Sequence, residues 1–145
     1  MSNGFEIIIS AISANMIAQI YKFVVFLIVH RKINFRRLFQ TGGMPSSHSA
    51  FTMAMTTSVG LLTGFNSPIF AIALCISLVV MYDAAGLRRA VGRQASLLNQ
   101  MVTEIFSEHP HLSTQKIREL LGHTPFEVLV GALLGAAVAI WVHKF

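Results

Sequence analysis

Charged residues and cysteines are scarce in this chain of 145 residues. Charged side chains make up 12% of the sequence, against about 25% in an ordinary soluble domain. The one cysteine, Cys75, lies in an apolar run, which excludes a disulfide framework and a cysteine-based metal site. Together with a mean hydropathy of +0.64, the shortage of charge excludes a disordered chain and argues against a nucleic-acid-binding protein.

Apolar residues are abundant instead, at 54% of the chain. A bilayer-crossing helix needs about 20 mostly apolar residues, and four stretches approach that length. We therefore expect an all-α, polytopic membrane bundle of about four transmembrane helices, forming one domain over residues 1–145. A soluble helical bundle is the weaker alternative. The predicted spans are residues 7–29, 49–65, 67–87 and 124–142.

Polar and small residues within these spans indicate which faces look inward. Asn15, Gln19 and Lys22 follow one another at spacings of four and three, so they share one face of the first span. Gly131 and Gly135 in the fourth span allow close helix packing. Between the third and fourth spans, the pattern predicts an amphipathic interfacial helix over residues 91–106 and a short helix over 113–121.

Basic residues are distributed unevenly between the two sides of the predicted bundle. If the amphipathic segment does not cross the membrane, it lies on the same side as the loop between the first and second spans. Both termini then lie on the other side. The positive-inside rule then predicts a cytoplasmic location for the shared side, although arginines that bind phosphate would follow the active site instead. The opposite side has only Lys144, whereas the shared side holds Arg31, Lys32, Arg36, Arg37, Arg88, Arg89, Arg93, Lys116 and Arg118.

The segment TGGMPSSHS, residues 41–49, stands at the entrance to the second span. Taken alone it favours a glycine turn followed by a helix cap, in which Ser46 or Ser47 satisfies free amides and His48 lies at the interface. The alternative is functional. A helix N-terminus with free amides, hydroxyl donors and an imidazole is a good receptor for a phosphoryl group.

His123 stands at the entrance to the fourth span. The capping box from Thr124 to Glu127 already gives Glu127 a structural explanation. The topology nevertheless places His48 and His123 on the same face of the membrane, each at a helix start. One neutral histidine as nucleophile and one protonated histidine as acid would support phosphoryl transfer, with Glu127 holding the tautomer of His123.

Three further positions have two interpretations each. Asp83 either pairs with a neighbouring arginine or marks a site inside the membrane, and we weigh these equally. Lys22 either reaches the interface as a structural residue or points at a phosphate. His109 and His111 resemble a metal pair, but two histidines are weak evidence for a metal site, so we predict a loop role and no metal site.

Three blocks of the sequence together resemble a known family. They are TGGMPSSHSA at residues 41–50, MYDAAGLRR at 81–89 and LGHTPFEV at 121–128. In this order they resemble the divergent type 2 phosphatidic acid phosphatase family, also described as related to acid phosphatases and vanadium-dependent haloperoxidases. The resemblance spans nearly the whole chain and implies a small membrane protein with a phosphatase fold.

The well-understood type 2 phosphatidic acid phosphatases resemble this chain more loosely, and their motifs can be compared with it only position by position. Their Pro-Ser-Gly-His motif looks like residues 45–48, with Ser47 in place of glycine. This resemblance implies that His48 is the leaving-group acid and that Ser46 contacts phosphate.

Their last motif has an arginine, five intervening residues, a histidine, three more residues and an aspartate. His123 and Glu127 keep the final spacing, which implies that His123 is the nucleophile. Only four residues separate Arg118 from His123, one fewer than in the motif. Because one helical position turns a side chain by about 100°, Arg118 does not match the position of the motif's arginine.

Their first motif, a lysine with an arginine-proline pair seven residues on, is absent, since Phe39 stands seven residues after Lys32. The cations that neutralise phosphate must then come from elsewhere. Lys22, Arg88 and Arg89 are the candidates, beside Arg118. The larger relatives generally have six spans, so four is a second departure.

These observations predict a metal-independent, cofactor-free phosphatase that hydrolyses a lipid phosphomonoester through a phosphohistidine. The expected partner is a lipid phosphate within the bilayer, and phosphatidic acid, phosphatidylglycerol phosphate and polyprenyl phosphates all fit. No nucleic acid is expected, and a homo-oligomer is compatible with the sequence. One alternative is a non-catalytic membrane protein that binds phosphate-bearing lipids or a protein partner. Another is a metal-dependent phosphotransferase using Asp83, which would want a second acidic residue that the neighbourhood does not offer.

Overall fold

Helices alone build the described part of the chain. The computed structural model describes residues 3–31, 43–106 and 122–144, and no β-strand occurs within these ranges. The predicted short helix at 113–121 lies outside them. The all-α architecture is confirmed, and its helices are α1 (Asn3–His30), α2 (Ser47–Thr63), α3 (Pro68–Ala85), α4 (Leu87–Phe106) and α5 (Pro125–Lys144).

Three described segments are long and apolar enough to cross a bilayer: Gly4–Val29, Pro68–Thr103 and Pro125–Lys144. The second of them includes α3 and most of α4, because helical hydrogen bonding continues through the junction at Gly86. The Gly86 amide donates to the Tyr82 carbonyl oxygen, and the Ala90 amide donates to the Gly86 carbonyl oxygen. Since α4 directly extends α3, the polar α4 begins at the same end of the bundle where α3 finishes.

The central helix of the bundle is α2, which contacts α1, α3 and α5. Its 17 residues are at the lower limit of about 17–25 for a span. Other helices enclose it, so its side chains need not be compatible with lipid. It packs between these helices at the position where the sequence predicts the second span, residues 49–65. Its buried residues are small or carry hydroxyls, namely Ser47, Ser49, Ala50, Thr52, Ala54, Thr56, Ser58, Val59 and Gly60.

Small residues at intervals of four let α1, α2 and α5 approach one another closely. A Cβ atom on Gly131 would overlap the carbonyl oxygen of Ser46, and one on Gly135 would overlap that of Ala50. The predicted packing role of both glycines is therefore confirmed. The buried series are Ser10, Ala14 and Ala18 on α1, Ala50, Ala54 and Ser58 on α2, and Gly131, Gly135 and Ala139 on α5.

The ends of α2 are set by a serine cap and a glycine turn. Ser46 caps the helix, so α2 starts two residues before the predicted boundary. Gly64 has a φ of 90°, a conformation that favours glycine, and α2 ends just before it instead of at residue 65. Ser67 caps α3 with Pro68 in the first turn, as the sequence predicts.

Buried hydroxyls fix α3 against α2. The hydroxyl oxygens of Thr56 and Ser77 lie 2.6 Å apart. Thr56 also donates to the carbonyl oxygen of Ala73 at 3.1 Å, and Ser77 donates to that of Thr52 at 3.0 Å. These contacts set the rotation of α3 and thereby the position of its C-terminal end.

The two ends of the bundle differ in character. At one end, Nδ1 of His143 lies 2.7 Å from Oε1 of Glu6, which joins the end of α5 to the start of α1. At the other end, the N-termini of α2 and α5 meet, because the Ser46 amide donates to the Glu127 carbonyl oxygen at 3.0 Å. The two helix starts therefore lie at the same end of the bundle.

Candidate functional site

The site is built where the starts of α2 and α5 are joined. The hydrogen bond between Ser46 and Glu127 links the two backbones, and the absent side chain of Gly131 lets them lie in contact. Two sequence blocks that stand far apart along the chain are thereby brought to one place.

Glu127 accepts two hydrogen bonds through one carboxylate oxygen. Oε2 lies 3.0 Å from Nδ1 of His123 and accepts from the Thr124 amide at 3.0 Å. The Glu127 amide in turn donates to the hydroxyl oxygen of Thr124 at 3.3 Å. The capping box is therefore confirmed, and the same carboxylate also holds the histidine. The structural and functional interpretations of Glu127 are compatible.

The ring of His123 is anchored and enclosed. Its residue is 1% exposed, and its amide donates to the carbonyl oxygen of Ala84 at 3.1 Å. A carboxylate oxygen accepts hydrogen bonds, so Nδ1 carries the proton in this contact and the neutral ring keeps its lone pair on Nε2. Within the described residues, Nε2 is buried and has no hydrogen-bond partner. A ring nitrogen in this state suits nucleophilic attack on an electrophile.

Ser46 forms the cap of α2, as the first of the two interpretations of this segment predicts. Its hydroxyl oxygen accepts from the Ser49 amide at 3.4 Å and from the Ser49 hydroxyl at 2.9 Å. The residue is fully buried. Because the cap accepts through its oxygen, its own hydroxyl hydrogen is left to donate elsewhere.

Ser47, the first residue of α2, faces α1 instead of acting as the cap. Nζ of Lys22 and Nε2 of Gln19 both donate to its hydroxyl oxygen at 3.3 Å. The predicted inward direction of the polar face of α1 is confirmed for these two residues. Lys22 brings a positive charge to the start of α2, where the helix dipole already favours an anion.

His48 and Asp83 lie at this same end of the bundle. His48 follows Ser47 in the first turn of α2, is half-buried, and its carbonyl oxygen accepts from the Thr52 hydroxyl at 3.1 Å. Asp83 is half-buried and directly precedes Ala84, whose carbonyl oxygen holds the His123 backbone. All three sequence blocks therefore converge on one region.

Of the four cations predicted to bind phosphate, the structure describes the side chain of one. Lys22 contacts Ser47. Arg88 and Arg89 follow the α3–α4 junction in the first turn of α4, at this end of the bundle, but their side chains are outside the described part. Arg118 also lies outside the described residues. Across residues 3–31, 43–106 and 122–144, no three His, Cys, Asp or Glu side chains form a metal-binding group.

Gln19 is a contributor that the sequence did not identify as a site residue. Its position on the inward face is predictable from spacing, yet its contact with Ser47 depends on how α1 is rotated against α2. The only available signal was its place one turn before Lys22 on the same face.

Comparison with known proteins relates most of the chain to one family. The model of the Divergent PAP2 family matches residues 4–138. A Bacillus subtilis (strain 168) protein described as "Uncharacterized membrane protein YuiD" is 36% identical over 148 residues, which cover 95% of this chain and 94% of the relative. No solved structure matches the chain. The family match includes all three sequence blocks at the site.

Proposed function

Because the chain belongs to the Divergent PAP2 family and is an integral membrane protein, we propose that it is a lipid phosphate phosphatase. The observation that supports this most is the state of the His123 ring. Glu127 holds Nδ1 at 3.0 Å, and Nε2 is buried without a partner in the described part of the chain. This arrangement supplies the nucleophile that a phosphohistidine mechanism needs.

In the first step, Nε2 of His123 attacks the phosphorus of a lipid phosphomonoester. The nitrogen–phosphorus bond forms as the bond from phosphorus to the lipid oxygen breaks. Protonated His48 gives its proton to that leaving oxygen, so the lipid departs as an alcohol. The Glu127 carboxylate stabilises the positive charge that develops on the His123 ring.

In the second step, water attacks the phosphohistidine. The now neutral His48 accepts a proton from this water, a new phosphorus–oxygen bond forms, and the nitrogen–phosphorus bond breaks. Inorganic phosphate leaves, and both histidines return to their starting states. The net reaction converts one lipid phosphate and one water into one lipid alcohol and one inorganic phosphate.

The phosphoryl oxygens are held at the start of α2. We assign this role to the Ser46 and Ser47 hydroxyls, the first amides of the helix and the Lys22 ammonium. Arg88 and Arg89 are proposed as additional cations in place of the absent first motif, with Arg118 as the alternative that the family motif suggests. Asp83 is assigned to positioning the neighbouring cations.

The substrate is a phosphate on a lipid that enters from the bilayer. Large apolar side chains of α1, α3 and α5 are exposed around the bundle, among them Ile12, Ile72 and Leu133, so lipid surrounds the helices that carry the site. Most basic residues belong to the sequence segments that follow α1 and that lie between α3 and α5. By the positive-inside rule we place the end of the bundle that carries the site in the cytoplasm.

A binding protein without catalysis is the second candidate function, and the burial of His123 favours it. A ring that is 1% exposed also fits a structural histidine that ties α5 to the end of α3. In that case the start of α2 would bind the phosphate of a lipid or a protein partner without turnover.

Phosphate release from purified protein in detergent tests the proposal. A panel of phosphatidic acid, phosphatidylglycerol phosphate and a polyprenyl phosphate is assayed with and without a chelator. The proposed mechanism predicts release that survives chelation and is absent in His123→Ala. Release that collapses on chelation favours metal chemistry, and absence of release from every lipid favours the binding protein.

A further inference from the structure

Gln19 places an amide at the site that the proposed reaction steps do not use. Its Nε2 donates to Ser47 at 3.3 Å, whereas its Oε1 is buried and has no hydrogen-bond partner in the described ranges. A buried polar atom without a partner costs free energy. An apolar side chain at this position of a membrane helix would avoid that cost, so the amide calls for a functional explanation.

The hydrogen bonds of the Ser47 hydroxyl can be counted. A hydroxyl has one hydrogen to donate and two lone pairs that accept. The Gln19 amide nitrogen and the Lys22 ammonium are donors only, so both of their contacts use the Ser47 oxygen as acceptor. The hydroxyl hydrogen is then directed away from α1. Ser47 is 3% exposed, so bulk water does not compete for this arrangement.

We infer that Gln19 is a positioning residue which, with Lys22, holds the Ser47 hydroxyl as a donor to a phosphoryl oxygen. The inference rests on the proposed function, because it states how the same site binds its phosphate. The oxygens of a phosphate dianion accept hydrogen bonds, so a hydroxyl whose acceptor positions are filled is preorganised for them. Ser46 has a parallel arrangement, since Ser49 donates to its oxygen twice.

A double-mutant cycle between Gln19 and Ser47 separates positioning from general packing. The variants are Gln19→Met, Ser47→Ala and the double variant, and Asn15→Met is the matched control one turn earlier on the same face of α1. The probe is inorganic phosphate, whose dissociation constant is measured by calorimetry on the full-length protein in detergent. Thermal unfolding of each variant is recorded beside it.

We expect Gln19→Met and Ser47→Ala each to weaken phosphate binding about tenfold, equivalent to about 1.4 kcal/mol. The double variant should be no weaker than Ser47→Ala, because Gln19 acts through that hydroxyl. Asn15→Met should bind like the wild type. Gln19→Glu keeps the side-chain volume but turns the donor into an acceptor for the Ser47 hydroxyl, so it should weaken binding more than Gln19→Met does.

Additive effects in the double variant, or wild-type binding by Gln19→Met, would overturn the inference. Gln19→Glu binding phosphate more tightly than Gln19→Met would do the same. These outcomes leave lipid phosphate hydrolysis intact, so the proposed function would survive them. Conversely, phosphate binding with a non-additive cycle but no hydrolysis of any lipid phosphate supports the positioning role and removes the catalytic proposal. A wild type that binds no phosphate overturns the positioning inference, whereas the proposed function is decided by the hydrolysis assay.

Discussion

The amide of Ser46 donates a hydrogen bond of 3.0 Å to the carbonyl oxygen of Glu127, which joins the N-termini of α2 and α5 backbone to backbone. Ser46 caps one helix and Glu127 belongs to the capping box of the other. A displacement of either helix therefore moves Ser46 and Ser47, the serines proposed to bind phosphate, relative to His123. Since misplacement by about 1 Å can reduce rates about 100-fold, this joint determines whether the site functions.

Gly131→Ala tests the joint directly. The new Cβ would overlap the Ser46 carbonyl oxygen, and overpacking of this kind costs about 1–3 kcal/mol. We expect a lower unfolding temperature in detergent and a loss of activity larger than the loss of folded protein. Gly4→Ala is the control, because nothing lies within 4 Å of a Cβ at that position. Equal stability of the two variants would contradict the close contact of α2 and α5.

The sequence predicts the helices better than it predicts their contacts. Apolar length gives α1, α3 and α5, and the serine, proline and glycine signals place their ends to within a few residues. The helix α2 is harder to recognise because its central position favours small and hydroxyl-bearing residues over large apolar ones. The partner of Gly131 is beyond prediction, since glycine spacing indicates close packing but not which backbone fills the space.

The orientation of the bundle is testable by cysteine labelling from each side of the membrane. In a Cys75→Ser background, we expect cysteines at Met44 and Thr124 to react from the cytoplasmic side. Cysteines at Asn66 and Lys144 should react from the other side. All four positions are exposed, so a cysteine that fails to react is not explained by burial inside the protein. Opposite accessibility of positions 44 and 124 would end the model in which two helix starts form one site.

Glu127→Gln separates the two roles of this side chain. The amide can still accept from Thr124, so the start of α5 should persist. The charge that stabilises the His123 imidazolium is lost, and we expect kcat to fall by roughly 100-fold or more. Thr124→Ala is the matched control, because it weakens the cap by about 1 kcal/mol and leaves the carboxylate in place. If Thr124→Ala reduces kcat as much as Glu127→Gln does, Glu127 acts only as a cap.

The chemical roles within the site follow from the sequence only in part. The spacing from His123 to Glu127 predicts their contact, because residues four apart meet at a helix start. The enclosure of the His123 ring and the contact from Gln19 to Ser47 arise from the packing of separate helices. Such contacts depend on helix rotation and axial position, which local sequence patterns do not determine.

His48→Ala distinguishes an acid from a phosphate contact. If His48 is the acid, the variant should fail on a lipid phosphate, whose leaving group is an alkoxide, but recover much of its rate on a substrate whose leaving group needs little protonation, such as an aryl phosphate. The measurement is kcat on both substrate classes at one pH. A variant equally inactive on both would reassign His48 to phosphate binding or to the structure of the first turn of α2.

The most direct test of the account is the covalent intermediate on His123. Wild-type protein mixed with a substrate labelled on its phosphate and quenched in base should retain label on one histidine, because the attacking nitrogen becomes phosphorylated. His123→Ala should retain none and should release no phosphate from any substrate. Retained label or near-normal turnover in His123→Ala, with the variant folded as judged by thermal unfolding, would contradict the central claim that Nε2 of His123 is the nucleophile.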